Sequence, residues 1–156
     1  MTRELAQVDT PIGAFRAVVD NGALVTAGFL DTTARARRDS AGVHDVLAAY
    51  FGGDTDALDA LAVAPAGTDF RQLVWKALRE VRAGETITYG ELAARVGTPG
   101  AARAVGSANA TNPVCLVIPC HRVVRAGGAL GGYGFGVERK RWLLDHESRR
   151  GGLFEV

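Results

Sequence analysis

The chain has 156 residues, 47% apolar and 22% charged, with a net charge of +1. That is ordinary for a soluble globular protein of one compact domain or two small units sharing an interface. No apolar run approaches a membrane span, and the first residues lack the basic-then-apolar pattern of a signal peptide. The expectation is therefore a cytoplasmic protein with no membrane partner.

Charge is unevenly spread: residues 1–69 carry a net −5 and residues 70–156 a net +6. Either the second half meets a polyanion or the two halves attract each other. The stretch around Phe15, Ala17 and Val19 alternates like a strand, Asn21-Gly22 signals a tight turn, and Leu24 to Phe29 returns as a second strand. Val43, Val46, Leu47 and Tyr50 then recur at helical spacing. A Gly-, Asp- and Ala-rich stretch, residues 52–67, separates this unit from the rest. The predicted domains are 1–66 and 67–156.

Phe70, Leu73, Val74, Ala77, Leu78 and Val81 form one apolar helical stripe, with Gly84 placed to stop it. Thr88 with Glu91 three residues on is a capping-box signature, and the helix it opens closes at Gly97. A further helix is predicted from Thr98, with Pro99 in its first turn, giving a helix-turn-helix. This second helix has a small core stripe of Ala101, Val105 and Ala108. Its other side carries Arg103, Gly106, Ser107 and Ala110, a face nearly bare of charge. Such a face fits close approach to DNA with Arg103 inserted, or packing against the rest of the protein.

Val114 to Ile118 reads as a buried strand, ending at Pro119-Cys120-His121-Arg122. A thiol beside an imidazole and a guanidinium is not core composition. Both neighbours favour the thiolate, the nucleophilic form. Cys115, inside the apolar run, fits a structural role. If the run is extended, Cys115 and Cys120 stand roughly 16 Å apart at ~3.3 Å per residue, too far for a disulfide. Adjacent strand residues point opposite ways, so Pro119 must help turn the chain for Cys120 and His121 to cooperate. With only His44, His121 and His146 besides, no zinc set appears. A glycine-rich loop, Ala126 to Gly136, holds Tyr133 and Phe135 and suits a lid over a flat ligand. A last helix follows, about Val137 to Ser148, with Trp142, Leu143 and Leu144 inward.

In order, T-Y-G-E-L-A, A-A-R-A-V-G, N-P-V…I-P-C-H-R-V-V, G-x-Y-G and W-L-L-x-H-E resemble the O6-alkylguanine-DNA alkyltransferase family, the methylated-DNA–protein-cysteine methyltransferases. The resemblance covers residues 67–147. It implies an α+β fold: a small antiparallel sheet-plus-helix domain, then a mainly helical domain with a winged-helix-like helix-turn-helix and the active-site cysteine. It implies direct-reversal repair: Cys120 takes the alkyl group from O6-alkylguanine once, irreversibly and without a cofactor, from a base flipped out of duplex DNA. O4-alkylthymine stays open as a second substrate. His121 corresponds to the base acting on the thiol through a water, Glu147 to the acid orienting that imidazole, and Asn112 to the hinge of the recognition helix. Tyr89 corresponds to the proton donor for departing guanine, and Arg103 to the finger replacing the flipped base. Thr88, Ala101, Ala102, Gly106 and Ser107 fall on the DNA side, and Cys115, Val123, Tyr133 and Gly134 around the substrate. The carbonyls of Cys120 and Val123 would read the guanine exocyclic amine. The partner implied is double-stranded DNA carrying O6-alkylguanine, bound by a monomer, with clustering along DNA left open.

Two positions depart from the family pattern. Gly134 stands where some members have serine, which leaves a backbone N–H for O6. Cys115 stands where a second proline is common, which predicts a roomier pocket. The metal-binding cysteines of some members are absent, so no metal is expected. Two rivals are a lesion-sensing DNA binder, which the presence of Cys120 opposes, and a cysteine hydrolase, which would turn over.

Overall fold

The computed structural model describes residues 3–30 and 41–148. These fall into two compact units: one from residues 1–66 with Pro113–Val117, the other from residues 67–112 and 118–156.

The first unit is built on an antiparallel meander of β1 (Arg3–Thr10), β2 (Gly13–Asp20) and β3 (Ala23–Leu30). Asn21 and Gly22 both have positive φ, 53° and 79°, as the tight turn between β2 and β3 requires. Phe15, Ala17 and Val19 alternate onto the buried face with Leu24 and Phe29. The Phe15 and Phe29 rings meet edge to face at 5.3 Å. β1 goes beyond the two strands legible in the sequence; it pairs along β2 from Arg3↔Asp20 to Thr10↔Gly13 and buries Ala6 and Val8. Helix α1 (Val43–Phe51) buries Val43, Leu47 and Tyr50, the spacing of one helical face.

The other edge of β3 is not left bare. Leu24 bridges Val63, and Ala27 bridges Val114, both in parallel. Ala27 N–H donates to the Pro113 carbonyl at 2.9 Å, and Cys115 N–H donates to the Ala27 carbonyl at 3.0 Å. Residues Val114 to Ile118 are buried as expected, but they are not one strand. Once Val114 and Cys115 have paired with Ala27, the chain turns at Leu116, which sits at φ 74°. Val117 N–H then donates back to the Cys115 carbonyl at 2.9 Å. The extended-chain separation of the two cysteines therefore does not apply.

The second unit begins with α2 (Asp69–Arg79), capped by Thr68, whose hydroxyl accepts the Arg71 N–H at 3.2 Å. Its buried residues are Val74, Trp75, Ala77 and Leu78. Leu73 is 48% exposed while Trp75 is buried, so the buried face is turned from the predicted stripe. The Trp75 indole is anchored inside by donating to the Ala108 carbonyl at 2.8 Å. The helix stops at Arg79 rather than running to Gly84, and Val81 is buried in the turn that follows.

Helix α3 (Tyr89–Arg95) has the full capping box: Glu91 N–H to the Thr88 hydroxyl at 3.1 Å, and Thr88 N–H to the Glu91 carboxylate at 2.9 Å. Helix α4 (Ala102–Ala110) starts later than predicted. Thr98 is not its cap, and Pro99 is not in its first turn. Residues 98–101 form a turn closed by Ala101 N–H to the Thr98 carbonyl at 3.0 Å, with Gly100 at φ 88°. Only glycine adopts that conformation readily, and it delays the helix by one turn. Val105, Ala108 and Asn109 are the buried face of α4. Helix α5 (Val137–Ser148) buries Lys140, Leu143 and Glu147, while Trp142 and Leu144 are only half-buried. Among the described residues no helix is long and apolar enough to cross a membrane.

Candidate active site

The reactive sequence is bent at its start. Pro119 has φ −82° and ψ 65°, and Cys120 N–H donates to the Ile118 carbonyl at 2.8 Å. This is an inverse γ-turn centred on proline, where the missing proline N–H costs nothing. Cys120–Arg122 then form a single 3-10 turn, closed by Val123 N–H to the Cys120 carbonyl. The strand geometry that would have sent Cys120 and His121 to opposite faces is thereby removed. The chain leaves as β5 (Val123–Val124), which pairs in parallel with β4 (Ile87–Thr88). That pairing sets the start of α3, and so Tyr89, beside the end of the cysteine turn.

Cys120 is 8% exposed and its thiol is free of any disulfide. Asn109 of α4 and Asn112, two residues past its end, hold the turn through their side-chain amides. Asn112 Nδ2 donates to the Ile118 carbonyl at 2.8 Å, and Asn109 Nδ2 lies 3.5 Å from the Cys120 carbonyl. The second contact is long for a hydrogen bond.

His121, Arg122 and Glu147 form a buried ionic cluster. His121 Nε2 lies 2.7 Å from Glu147 Oε2. Arg122 donates through Nε to Oε1 at 2.9 Å and through Nη2 to Oε2 at 3.0 Å, a two-pronged clamp. Its Nη1 donates to the Val81 carbonyl at 2.6 Å. Burial alone raises the carboxyl's pKa, but His121 and Arg122 together outweigh it and hold Glu147 well below the usual carboxylate range. An ionised carboxylate only accepts, so the proton facing it sits on His121 Nε2. The other ring nitrogen, Nδ1, is buried with no hydrogen-bond partner and becomes the basic one.

The glycine-rich loop comes close to this cluster. The Tyr133 ring is edge-on to His121 at 6.5 Å and to Phe135 at 6.1 Å. Gly134 is exposed. Lys140 of α5 is completely buried, and its Nζ donates to the carbonyls of Val123 at 2.6 Å and Gly132 at 3.1 Å. Burial, first of all, pushes the Lys140 pKa down; an ionised Cys120 would act in the opposite sense, and Arg125 adds to the lowering. The Tyr89 ring packs on Gly106 of α4, and its hydroxyl approaches Gly131.

The sequence-predicted residues thus divide. Cys120, His121, Glu147, Asn112, Tyr89, Val123 and Tyr133 lie on elements joined by these contacts. On α4, Arg103 and Ser107 are exposed, while Ala101, Ala102 and Gly106 are half-buried, as is Thr88 at the α3 cap. Cys115 belongs to the first unit, and its N–H is already committed to Ala27. A proline there would lose that bond. Sequence reasoning missed Arg122 as the clamp on Glu147, and it missed Lys140 and Asn109 altogether. Among the described residues no three His, Cys, Asp or Glu side chains cluster as a metal set.

Residues 69–149, just over half of the chain, match the family model of the 6-O-methylguanine DNA methyltransferase DNA-binding domain. A methylated-DNA–protein-cysteine methyltransferase of Salmonella typhimurium is 53% identical over 106 residues, covering 68% of this chain but only 62% of that protein. The one from Mycobacterium tuberculosis is 43% identical over 151 residues, covering 92% of this chain and 91% of the relative. A crystal structure of the M. tuberculosis O6-methylguanine methyltransferase superposes with TM-score 0.82 at 41% identity, over 96% of this chain and 94% of that one. A second structure, of M. tuberculosis OGT in complex with DNA, gives 0.79 at 41% identity, over 94% and 93%. With this likeness running along nearly the whole chain and the Cys-His-acid turn in place, the chain belongs to the methylated-DNA–protein-cysteine methyltransferase family.

Proposed function

We propose that this protein repairs DNA by moving the alkyl group of O6-alkylguanine onto Cys120, once per molecule. One observation carries the reading. His121 Nε2 is tied to the buried Glu147 carboxylate at 2.7 Å while Nδ1, on the residue next to the thiol, is left unpartnered. This is the arrangement that makes an imidazole a general base toward a cysteine.

The chemistry balances without a cofactor. His121 Nδ1 takes the thiol proton, directly or through a water. The sulfur attacks the alkyl carbon in line, a C–S bond forms, and the C–O6 bond breaks with its electron pair passing to the base. Tyr89 gives a proton to the departing guanine and is reprotonated from the imidazolium. In sum, the thiol proton ends on guanine and the alkyl group on sulfur. Water does not readily cleave a thioether, so the protein is consumed.

A base inside a duplex hides O6, so the reaction requires the base to be everted, at a cost of a few kcal/mol. The exposed Arg103 on the nearly uncharged face of α4 supports a role in filling the gap, with Ala101, Ala102, Gly106 and Ser107 allowing close approach. Thr88 lies at the start of α3 on the same side of the reading. Duplex DNA is the partner proposed, with a monomer as the active form in the cytoplasm. The base would present its exocyclic amine to the carbonyls of Cys120 and Val123, with Tyr133 and the Gly134 N–H closing over it.

Incubation with a duplex carrying O6-methylguanine, followed by intact mass, tests this. One equivalent of about 14 Da should appear, map to Cys120 and be absent in Cys120→Ala. Sustained turnover of substrate would instead support a hydrolase and remove the proposal.

A further inference from the structure

The two carbonyls assigned above to the exocyclic amine are both held from behind by buried side chains. The Cys120 carbonyl closes the 3-10 turn with Val123 N–H and also faces Asn109 Nδ2 at 3.5 Å. The Val123 carbonyl accepts the Lys140 ammonium at 2.6 Å. The two donors come from different helices, α4 and α5.

Neither side chain is where stability would put it. Asn109 is 8% exposed, and its Oδ1 is buried without a partner. Lys140 is fully buried, and its hydrogen-bond partners among the described residues are two carbonyls, with no carboxylate. A buried amide with an orphaned oxygen and a buried ammonium held by neutral carbonyls both cost folding free energy. Leucine and methionine fill similar volumes without that cost. Polar groups retained at such cost call for another explanation.

Base chemistry supplies one. Alkylation at O6 removes the proton from N1, so the 2-amino group is the donor left on that edge of the ring. Only acceptors aimed at it separate alkylguanine from a base lacking the amine. A carbonyl has two acceptor sites: on Val123, Lys140 takes one and polarises the other, and on Cys120, where the Val123 N–H takes one, the weak 3.5 Å contact of Asn109 orients the oxygen beside the other.

We propose that Asn109 and Lys140 are positioning residues for base selectivity: they fix the Cys120 and Val123 carbonyls so that these discriminate for the 2-amino group of the alkylated purine. The proposal rests on the alkyl-transfer reading and on those carbonyls facing the amine.

The test is a ratio. Single-turnover transfer to Cys120 is timed with two duplexes identical except that one carries O6-methylguanine and the other O6-methylhypoxanthine, which lacks the amine. The wild type should favour methylguanine by about tenfold or more. Asn109→Leu and Lys140→Met should each shrink that preference at least ~3-fold, the equivalent of about half a hydrogen bond. Any change in thiol reactivity acts on both substrates and cancels in the ratio, so a merely structural or thiol-activating role leaves it unmoved. Should Lys140→Met fail to fold, Asn109→Leu, which removes no charge, decides alone. Unchanged ratios in the variants, or a wild-type ratio near one, overturn the proposal while the alkyl-transfer reading stands. No transfer from either duplex by the wild type overturns both.

Discussion

Replacing Glu147 with Gln changes one charge and almost no volume at the centre of the site. The wild-type carboxylate accepts from His121 Nε2 at 2.7 Å and from Arg122 at 2.9 and 3.0 Å, all out of contact with water. Glutamine brings one oxygen and one NH2 group to three donors. If its oxygen serves Arg122, its NH2 faces His121 Nε2 and drives the ring proton to Nδ1, where it blocks the base. If its oxygen serves His121, Arg122 keeps only the Val81 carbonyl at 2.6 Å. Removing one partner of a buried ion pair costs about 3–5 kcal/mol, because the other charge is left uncompensated. At ~1.4 kcal/mol per decade, even the lower figure is about two decades of the folding equilibrium. Misplacing the ring proton costs up to ~10⁴ in rate where a triad acid is neutralised, so a slowing of at least ~10²-fold is expected here. Urea unfolding and single-turnover methyl transfer from a lesion duplex, run in one buffer, read both effects. A stability loss below ~1 kcal/mol with a rate change under ~3-fold would refute the reasoning.

The same carboxylate predicts an acid limb. Its folded pKa is held low, so its stabilisation is full above the unfolded value of ~4.3 and fades as pH falls below that toward the folded value. Urea midpoints from pH 6 down to pH 3 should fall more steeply in the wild type than in Glu147→Gln; parallel curves would contradict the linkage. A methyl group on Gly67 would lie 2.5 Å from the Trp75 ring, which is pinned by its bond to Ala108, so Gly67→Ala should lose about 1–3 kcal/mol in the same assay. Arg103→Ala should slow repair in duplex DNA by about tenfold or more while leaving reaction with free O6-benzylguanine within ~2-fold; equal slowing on both would remove the finger role.

Much of this was legible because local rules dominate where the chain is short-range. The Asn21-Gly22 turn, the Thr88–Glu91 capping box and the α1 face are each fixed by residues a few positions apart. What escaped depends on distant partners. β1 is specified by its pairing along β2 rather than by its own pattern. The Val114–Ile118 run obeys burial but takes its bend from the bond to Ala27, far away in sequence. Pro99 reads as a helix start until Gly100, at φ 88°, postpones it. Within the site, the motif residues Cys120, His121 and Glu147 were readable, whereas the groups that hold the turn were not.

Those holders did leave a signal, of a kind easily discounted. On α5, Lys140, Leu143 and Glu147 recur at steps of three and four, a core stripe with a charge at either end. Along α4 and just past its end, Val105, Ala108, Asn109 and Asn112 keep to one side in the same way, two apolar positions and then two amides. A polar residue in the apolar stripe of a short helix is expensive unless it meets a group with hydrogen-bonding capacity to spare. Here each one meets a backbone carbonyl, at Val123, Ile118 or Cys120, or else the buried imidazole. The Ile118 and Cys120 carbonyls each accept one bond within the cysteine turn, and side chains from the flanking segments add donors at Ile118, Cys120 and Val123. The thiol is thus aimed less by its own rotamer than by a backbone fixed from both sides, and the stripe positions that break the hydrophobic pattern mark where.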